Sequence, residues 1–254
     1  MKVYTVACIK GGVGKTSTSL ALASILEKKF GKKTLLIDID PQCNASYVYD
    51  MNDIMPEVDV YDVLMNNTDI KKAITHTKNG DIVMGNKDLG YVQNELSNPP
   101  DRMFTLRKAI KKLKGYDCVV IETNPTVTPL WFSGIIAADE VIIPVEPDSY
   151  SHETIVNTYN TIETIKKDSG CKTKIAGVLF TKVNKKTNLS KLAKSYGMIL
   201  HTEKGMKTFN TDITVCAKIG EAAFIKKHLI DYSPKCVAAN QYIEFVSELL
   251  GEEA

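Results

Sequence analysis

Three glycines, a lysine and a threonine stand together at Gly11-Gly12-Val13-Gly14-Lys15-Thr16, with Ser17 behind them. Glycines let the backbone curl until successive N–H groups point at one anion. A lysine at the end of such a loop reaches the outer phosphates of a nucleotide, and the following hydroxyl can be placed on Mg²⁺. That chemistry needs a strand before the loop and a helix after it. Residues 3–9 are short, apolar and β-branched, as a buried strand is. Residues 15–30 carry Leu20, Leu22, Ala23, Leu26 and Phe30 at helical spacing, and Gly31 follows as a stop. The new helix turns its positive end on the anion. Gly11 to Ser17 are therefore expected to hold phosphate.

Carboxylates come next. Asp38 and Asp40 follow the apolar run at residues 34–37, and Glu122 closes another at 118–121. Both sites fall at carboxyl ends of expected strands, where ligands of parallel sheets bind. A plain turn before Pro41 would also use two aspartates, so the pair alone leaves both readings open.

The remaining elements alternate along the chain. Strands are expected at 81–84, 141–145 and 175–180, and helices at 103–113, 151–167, 189–196 and 235–250. The last helix should bury Val237, Ala238, Tyr242, Phe245, Val246 and Leu249. Such alternation predicts an α/β fold, doubly wound, with a mostly parallel sheet and helices on both faces. No repeat or linker divides residues 1–254, so one domain is expected.

The loop departs from the usual G-x-x-x-x-G-K-[ST]. Ile9 takes the first glycine position and a second lysine, Lys10, enters. K-G-G-x-G-K-T resembles the deviant Walker motif of the ParA/MinD family of P-loop ATPases, in the chromosome and plasmid partition branch that lacks an N-terminal helix-turn-helix. Asp38 to Asn44 resembles that family's D-x-D-P-Q-x-N segment, and Ala137 to Val145 its AADEV segment. The likeness spans nearly the whole chain and is weakest at residues 50–98 and at the tail.

The resemblance implies ATP and Mg²⁺ as cofactors. It makes Lys10 the lysine that crosses to a partner's nucleotide, and Asp40 the residue that positions or activates the attacking water. Asp38 and Glu122 join Thr16 around Mg²⁺. The family usually has Asp followed by a Pro-Pro pair where this chain has Glu122 and then Thr123-Asn124-Pro125. The carboxylate thus sits one methylene further out, and Mg²⁺ geometry is strict. Lys182 and Asn184 are implied to flank the adenine, with the residue touching the base left open. Glu146 is implied at the partner's ribose, a turn carboxylate being the alternative. Lys186 and Lys218 match basic positions that contact DNA, and lysine meets phosphate without reading sequence. Either lysine could instead belong to a solvated face.

Composition narrows the rest. Lys and Arg number 32 against 30 Asp and Glu, a net charge of +2, so a DNA contact must be a local patch. The six cysteines have no zinc spacing and are expected reduced and mostly buried. The first residues lack a signal-peptide core, and no apolar run reaches the ~18 residues of a membrane span; a cytoplasmic protein is expected.

The implied function is a DNA-segregation ATPase. ATP closes a homodimer that binds double-stranded DNA non-specifically, associates with the nucleoid, and is released when a centromere-binding, ParB-like partner stimulates hydrolysis. Intrinsic turnover should be slow, because no arginine of the same chain accompanies Lys10. Three alternatives share the fold. A MinD-like positioning ATPase would need a basic amphipathic end, and this tail, Glu244 to Ala254, is acidic. A nitrogenase-like iron protein would need cysteines within residues 123–136, which hold none. A metabolic ATP-dependent enzyme is permitted by fold but shows no substrate motif.

Overall fold

The computed structural model describes residues 1–49, 56–91, 93–98, 100–184 and 186–252. Lys185 of the basic stretch and Glu253 and Ala254 of the acidic tail lie outside the described residues. So do Asp50 and the other positions of residues 50–55, 92 and 99.

Among the described residues seven strands form one sheet: β1 (Lys2–Val6), β2 (Thr34–Asp38), β3 (Ile74–Thr77), β4 (Gly80–Val83), β5 (Cys118–Glu122), β6 (Glu140–Val145) and β7 (Lys174–Phe180). Their order is β3-β4-β2-β5-β1-β6-β7, parallel except for the β3–β4 hairpin. Ten α-helices are described: α1 (Lys15–Lys28), α2 (Asn44–Tyr49), α3 (Val60–Met65), α4 (Thr105–Ile110), α5 (Pro129–Ala137), α6 (Ser151–Ser169), α7 (Asn188–Lys204), α8 (Ala217–Phe224), α9 (Leu229–Tyr232) and α10 (Val237–Leu250). The doubly wound α/β class expected from the sequence is the class observed.

Strand alternation sorts the core into two sides. Val6, Leu36, Val120 and Ile142 face α1 and α10, where Leu22, Ile25, Leu26, Tyr242 and Phe245 pack. Leu35, Ile37, Val119 and Ile121 face the opposite side with Leu106 and Leu130. Val141, Ile143 and Val145 meet Trp131 and Ile155 on that same side. Register then fixes the site. Val6 of β1 and Asp38 of β2 both pair with Glu122 of β5, so three strand ends lie level. Alternation turns Asp38 and Glu122 to the α1 side.

Several expected bounds shift for local reasons. The helix expected at 103–113 is a 3₁₀ turn, Pro100–Phe104, followed by α4 and tightened again by Lys112 N–H to Ala109 and Leu113 N–H to Ile110. α7 runs eight residues beyond the expected stop, because Gly197 is tolerated inside it. Val237 is 61% exposed at the first turn of α10 rather than on its apolar stripe. α5 carries no period because both flanks are buried; only Thr128, which accepts from Trp131 N–H, and Pro129 at the first turn mark its start. Gly134 lets α5 approach the sheet, since a Cβ there would lie 3.0 Å from Ile39 Cδ1 and 3.1 Å from Thr123 Cγ2. Of the six cysteines, all free thiols, only Cys8 and Cys118 are buried. The other four are half-buried, which corrects the expectation of mostly buried thiols.

Candidate functional site

The loop after β1 is shaped by two left-handed glycines, Gly12 (φ 76°) and Gly14 (φ 82°). Gly14 is the N-cap of α1 and supplies no side-chain cap, and the first turn holds no acidic residue. The N–H groups of that turn thus face the loop with no carboxylate of their own, which is the condition for binding an anion. A Cβ on Gly12 would meet nothing within 4 Å, so the cradle is open there. Thr181, at the end of β7, braces the loop by donating its hydroxyl to Val13 O at 2.7 Å. Lys15 is 6% exposed, and its ammonium donates to Lys10 O at 3.0 Å. Burial lowers the Lys15 pKa, and the Glu122 and Asp40 carboxylates oppose that.

Glu122 is buried beneath the loop. Its Oε1 accepts from Thr16 Oγ1 at 2.7 Å, and its Oε2 accepts from Ser19 Oγ. Burial pushes its carboxyl well above the usual range and nearby Asp38 adds to this, while the two hydroxyls and Lys15 act against it. The extra methylene of the glutamate is accommodated by Ser19, one helical turn beyond Thr16. Asp38 is fully buried and organises the loop after β2. Its Oδ1 accepts from Asp40 N–H at 3.0 Å, and its Oδ2 accepts from Ser46 N–H at 2.9 Å and Ser46 Oγ at 2.7 Å. Burial raises its pKa to about 6 against those bonds. Asp40, 5% exposed, accepts from Gln42 N–H at 2.9 Å.

These residues fit a magnesium nucleotide. Among the described residues no cluster of three or more His, Cys, Asp or Glu could cage a metal alone. Mg²⁺ is held instead by one or two protein oxygens plus substrate phosphates and water. Thr16 and Glu122, in contact beside an uncapped helix start, would supply such a pair. Asp38 keeps lone pairs for a water although both its oxygens are engaged.

The outlying expected residues are placed less simply. Lys10 pairs with Asp148, just before α6. Lys182 (φ 51°) and Glu146, assigned separately to base and ribose, pair with each other at 3.3 Å. Asn184 uses its Oδ1 to accept from Lys186 N–H at 3.1 Å, shaping the turn before α7. Lys186 is exposed. Lys218 is bonded to Glu221 at 2.7 Å and lies 5.7 Å above the Tyr232 ring, which leaves it only part of its charge for a ligand. A parallel bridge, Val183 to Thr214, brings the segments carrying Lys186 and Lys218 side by side. The structure adds Ser19, Ser46, Thr181 and Asp148, which sequence reasoning does not single out. Only Ser19 carries a signal, its spacing of three from Thr16 on one helix face.

A family model described as an AAA domain matches residues 1–176. The sporulation initiation inhibitor protein Soj of Bacillus subtilis is 31% identical over 253 residues, which is 98% of this chain and 98% of that one. The chromosome partitioning protein ParA of Caulobacter vibrioides is 28% identical over 259 residues, 100% of this chain and 95% of that one. Apo McdA of Cyanothece superposes with a TM-score of 0.87 at 21% identity, over 99% of this chain and 100% of that one, a likeness of fold. Cobyrinic acid a,c-diamide synthase from Mycobacterium smegmatis, with bound ADP and magnesium, gives 0.81 at 25% identity, over 98% of this chain and 94% of that one. No helix among the described residues is long and apolar enough to cross a membrane. With a glycine cradle, a second loop lysine and full-length likeness to Soj all in one chain, this protein belongs to the ParA/Soj family of P-loop ATPases.

Proposed function

We propose that the chain is a DNA-partition switch, a single cytoplasmic domain that pairs with a second copy around ATP, binds DNA in that state and leaves it after hydrolysis. The observation that carries the reading is the divergence of the two loop lysines. Lys15 is buried and bonded to the loop's own backbone, while Lys10 is paired with Asp148 before α6. A cation that does not serve its own site is available to a neighbour's, where charge develops on the phosphates only once the dimer forms.

In this reading Gly11, Gly12, Val13, Gly14 and Ser17 donate N–H groups to the phosphates, and Lys15 neutralises them. Thr16 and Glu122 hold Mg²⁺, which supplies positive charge to the phosphate oxygens, and Asp38 keeps the adjoining loop in register. Asp40 orients the water. Lys182, Asn184 and Glu146 border the base and ribose. Turnover by the isolated protein is slow, because Lys10 arrives only from a partner and a ParB-like protein completes the site. Lys186 and Lys218, duplicated by pairing, turn weak non-specific attraction for DNA phosphates into useful binding and place the ATP form on the nucleoid.

Cosedimentation with plasmid DNA, with and without ATP, tests this. ATP-dependent pelleting of a dimer is expected. A monomer that ignores DNA when saturated with a non-hydrolysable triphosphate overturns it. A metabolic ATP-dependent enzyme is the second reading, favoured by the fold shared with the diamide synthase, and it predicts that overturning result.

A further inference from the structure

Asn124 follows Glu122 and Thr123 just beyond the end of β5. It is 5% exposed, and its Oδ1 is buried with no hydrogen-bond partner among the described residues. An orphaned buried acceptor forfeits its hydration without replacement, so its place in a native fold calls for a cause.

Its neighbours say where it lies. Glu122 turns to Thr16 and Ser19 on the α1 side. Thr123 turns to the other side, its Cγ2 against Gly134 of α5 and its hydroxyl donating to Val6 O at 2.9 Å. Asn124 thus stands between Glu122, which is bonded to the first turn of α1, and Pro125. Pro125 confirms that the chain runs beside the cradle, for a Cβ on Gly11 would lie 3.9 Å from its ring. The position is one where the sequence departs from the family's Pro-Pro pair.

A carboxamide offers an acceptor at one end and donors at the other. Terminal phosphate oxygens accept only, so they suit Nδ2–H, and Oδ1 is left to accept from a donor such as the attacking water. We infer that Asn124 is a further catalytic residue of ATP hydrolysis, holding a terminal phosphate oxygen through Nδ2–H and orienting the attacking water through Oδ1. The water oxygen bonds to the terminal phosphorus as the bond from that phosphorus to the ADP oxygen breaks. One water proton stays on the released phosphate and the other passes to solvent. The inference rests on ATP hydrolysis at this site and is independent of DNA binding.

The test uses the full chain without DNA. Asn124→Ala should slow single-turnover hydrolysis on the order of a hundredfold, as loss of one oriented donor does elsewhere. By calorimetry it should weaken a non-hydrolysable triphosphate several-fold while leaving ADP affinity unchanged. The nucleotide-free protein should melt no lower than wild type, because an unpaired polar group has been removed. Asn124→Asp keeps the shape and sets a carboxylate against the phosphate, so it should lose triphosphate affinity selectively as well. Wild-type hydrolysis and affinities in both variants, or equal loss of ADP and triphosphate binding with a lower melting temperature, would overturn the inference. Neither result touches DNA binding, which cosedimentation of wild type reads separately.

Discussion

Lys10 and Asp148 form an ion pair that ties the phosphate loop to the start of α6 across 138 residues of sequence. Burial alone would raise the Asp148 carboxyl, but the bonds from Lys10 and from Tyr150 N–H outweigh it and hold the carboxyl below its usual range. If Lys10 serves a partner's nucleotide, this pair must open on dimerisation. A half-exposed pair contributes about 0.2–1 kcal/mol, and two open per dimer. Asp148→Asn should therefore strengthen ATP-dependent dimerisation on the order of twofold to thirtyfold. Sedimentation velocity with a non-hydrolysable triphosphate measures this. An unchanged or weaker dimer would show that Lys10 is not released.

The hydroxyls of Thr16 and Ser19 share one carboxylate. Glu122→Asp withdraws that carboxylate by one methylene, so it cannot reach both. The nucleotide-free protein should lose about 1–3 kcal/mol of stability. Adding Ser19→Ala should then cost little more, because its bond is already gone. Thermal unfolding of the two single variants and the double variant measures the coupling, expected at about 0.5–3 kcal/mol. Additive effects would mean that Ser19 does not position Glu122.

What the sequence makes legible follows the range of each interaction. The cradle is built within residues 9–16, so its spacing can be read directly, and alternating apolar runs announce the sheet. Asp38 meets Glu122 only through the β2–β5 register, which no local pattern encodes. Asp148 and Thr181 reach the loop from strand ends far along the chain, and neither sits in a chemical motif. The edge strand β3, Ile-Thr-His-Thr, is too short and polar to announce itself. Lys182 and Glu146 are given nucleotide roles only by resemblance and one at a time, and it takes the fold to show them as partners.

Lys218 shares its charge with Glu221, which also accepts from Tyr232 Oη at 2.7 Å. That bond raises the Lys218 pKa and keeps the side chain protonated, but it competes with a phosphate. Glu221→Gln should tighten DNA binding by the ATP form, and Lys218→Ala should weaken it. Replacing Lys186 or Lys218 should lower the slope of log affinity against log salt by about one for each phosphate left without its cation. Filter binding over a salt series reads both effects. Equal slopes in wild type and both lysine variants would take these residues out of the interface.

His228 supplies a pH dependence remote from the nucleotide. Its ring is 1% exposed, and Nε2 donates to Asn79 O at 2.8 Å while Nδ1 is buried without a partner among the described residues. Asn79 in turn donates to Val48 O and Lys226 O, so the ring knits the β3–β4 turn to α2 and to the segment before α9. Burial lowers the His228 pKa from 6.5 to about 4. The unfolded chain therefore binds the proton more tightly, and stability falls with acidification from pH 6.5 to pH 4. The full loss on the acid side is about 3 kcal/mol. His228→Gln keeps a donor for Asn79 O and cannot take up a proton, so its melting temperature should fall less than that of wild type between pH 7 and pH 5. Parallel melting curves for the two proteins across that range would show that His228 does not carry the proton linkage.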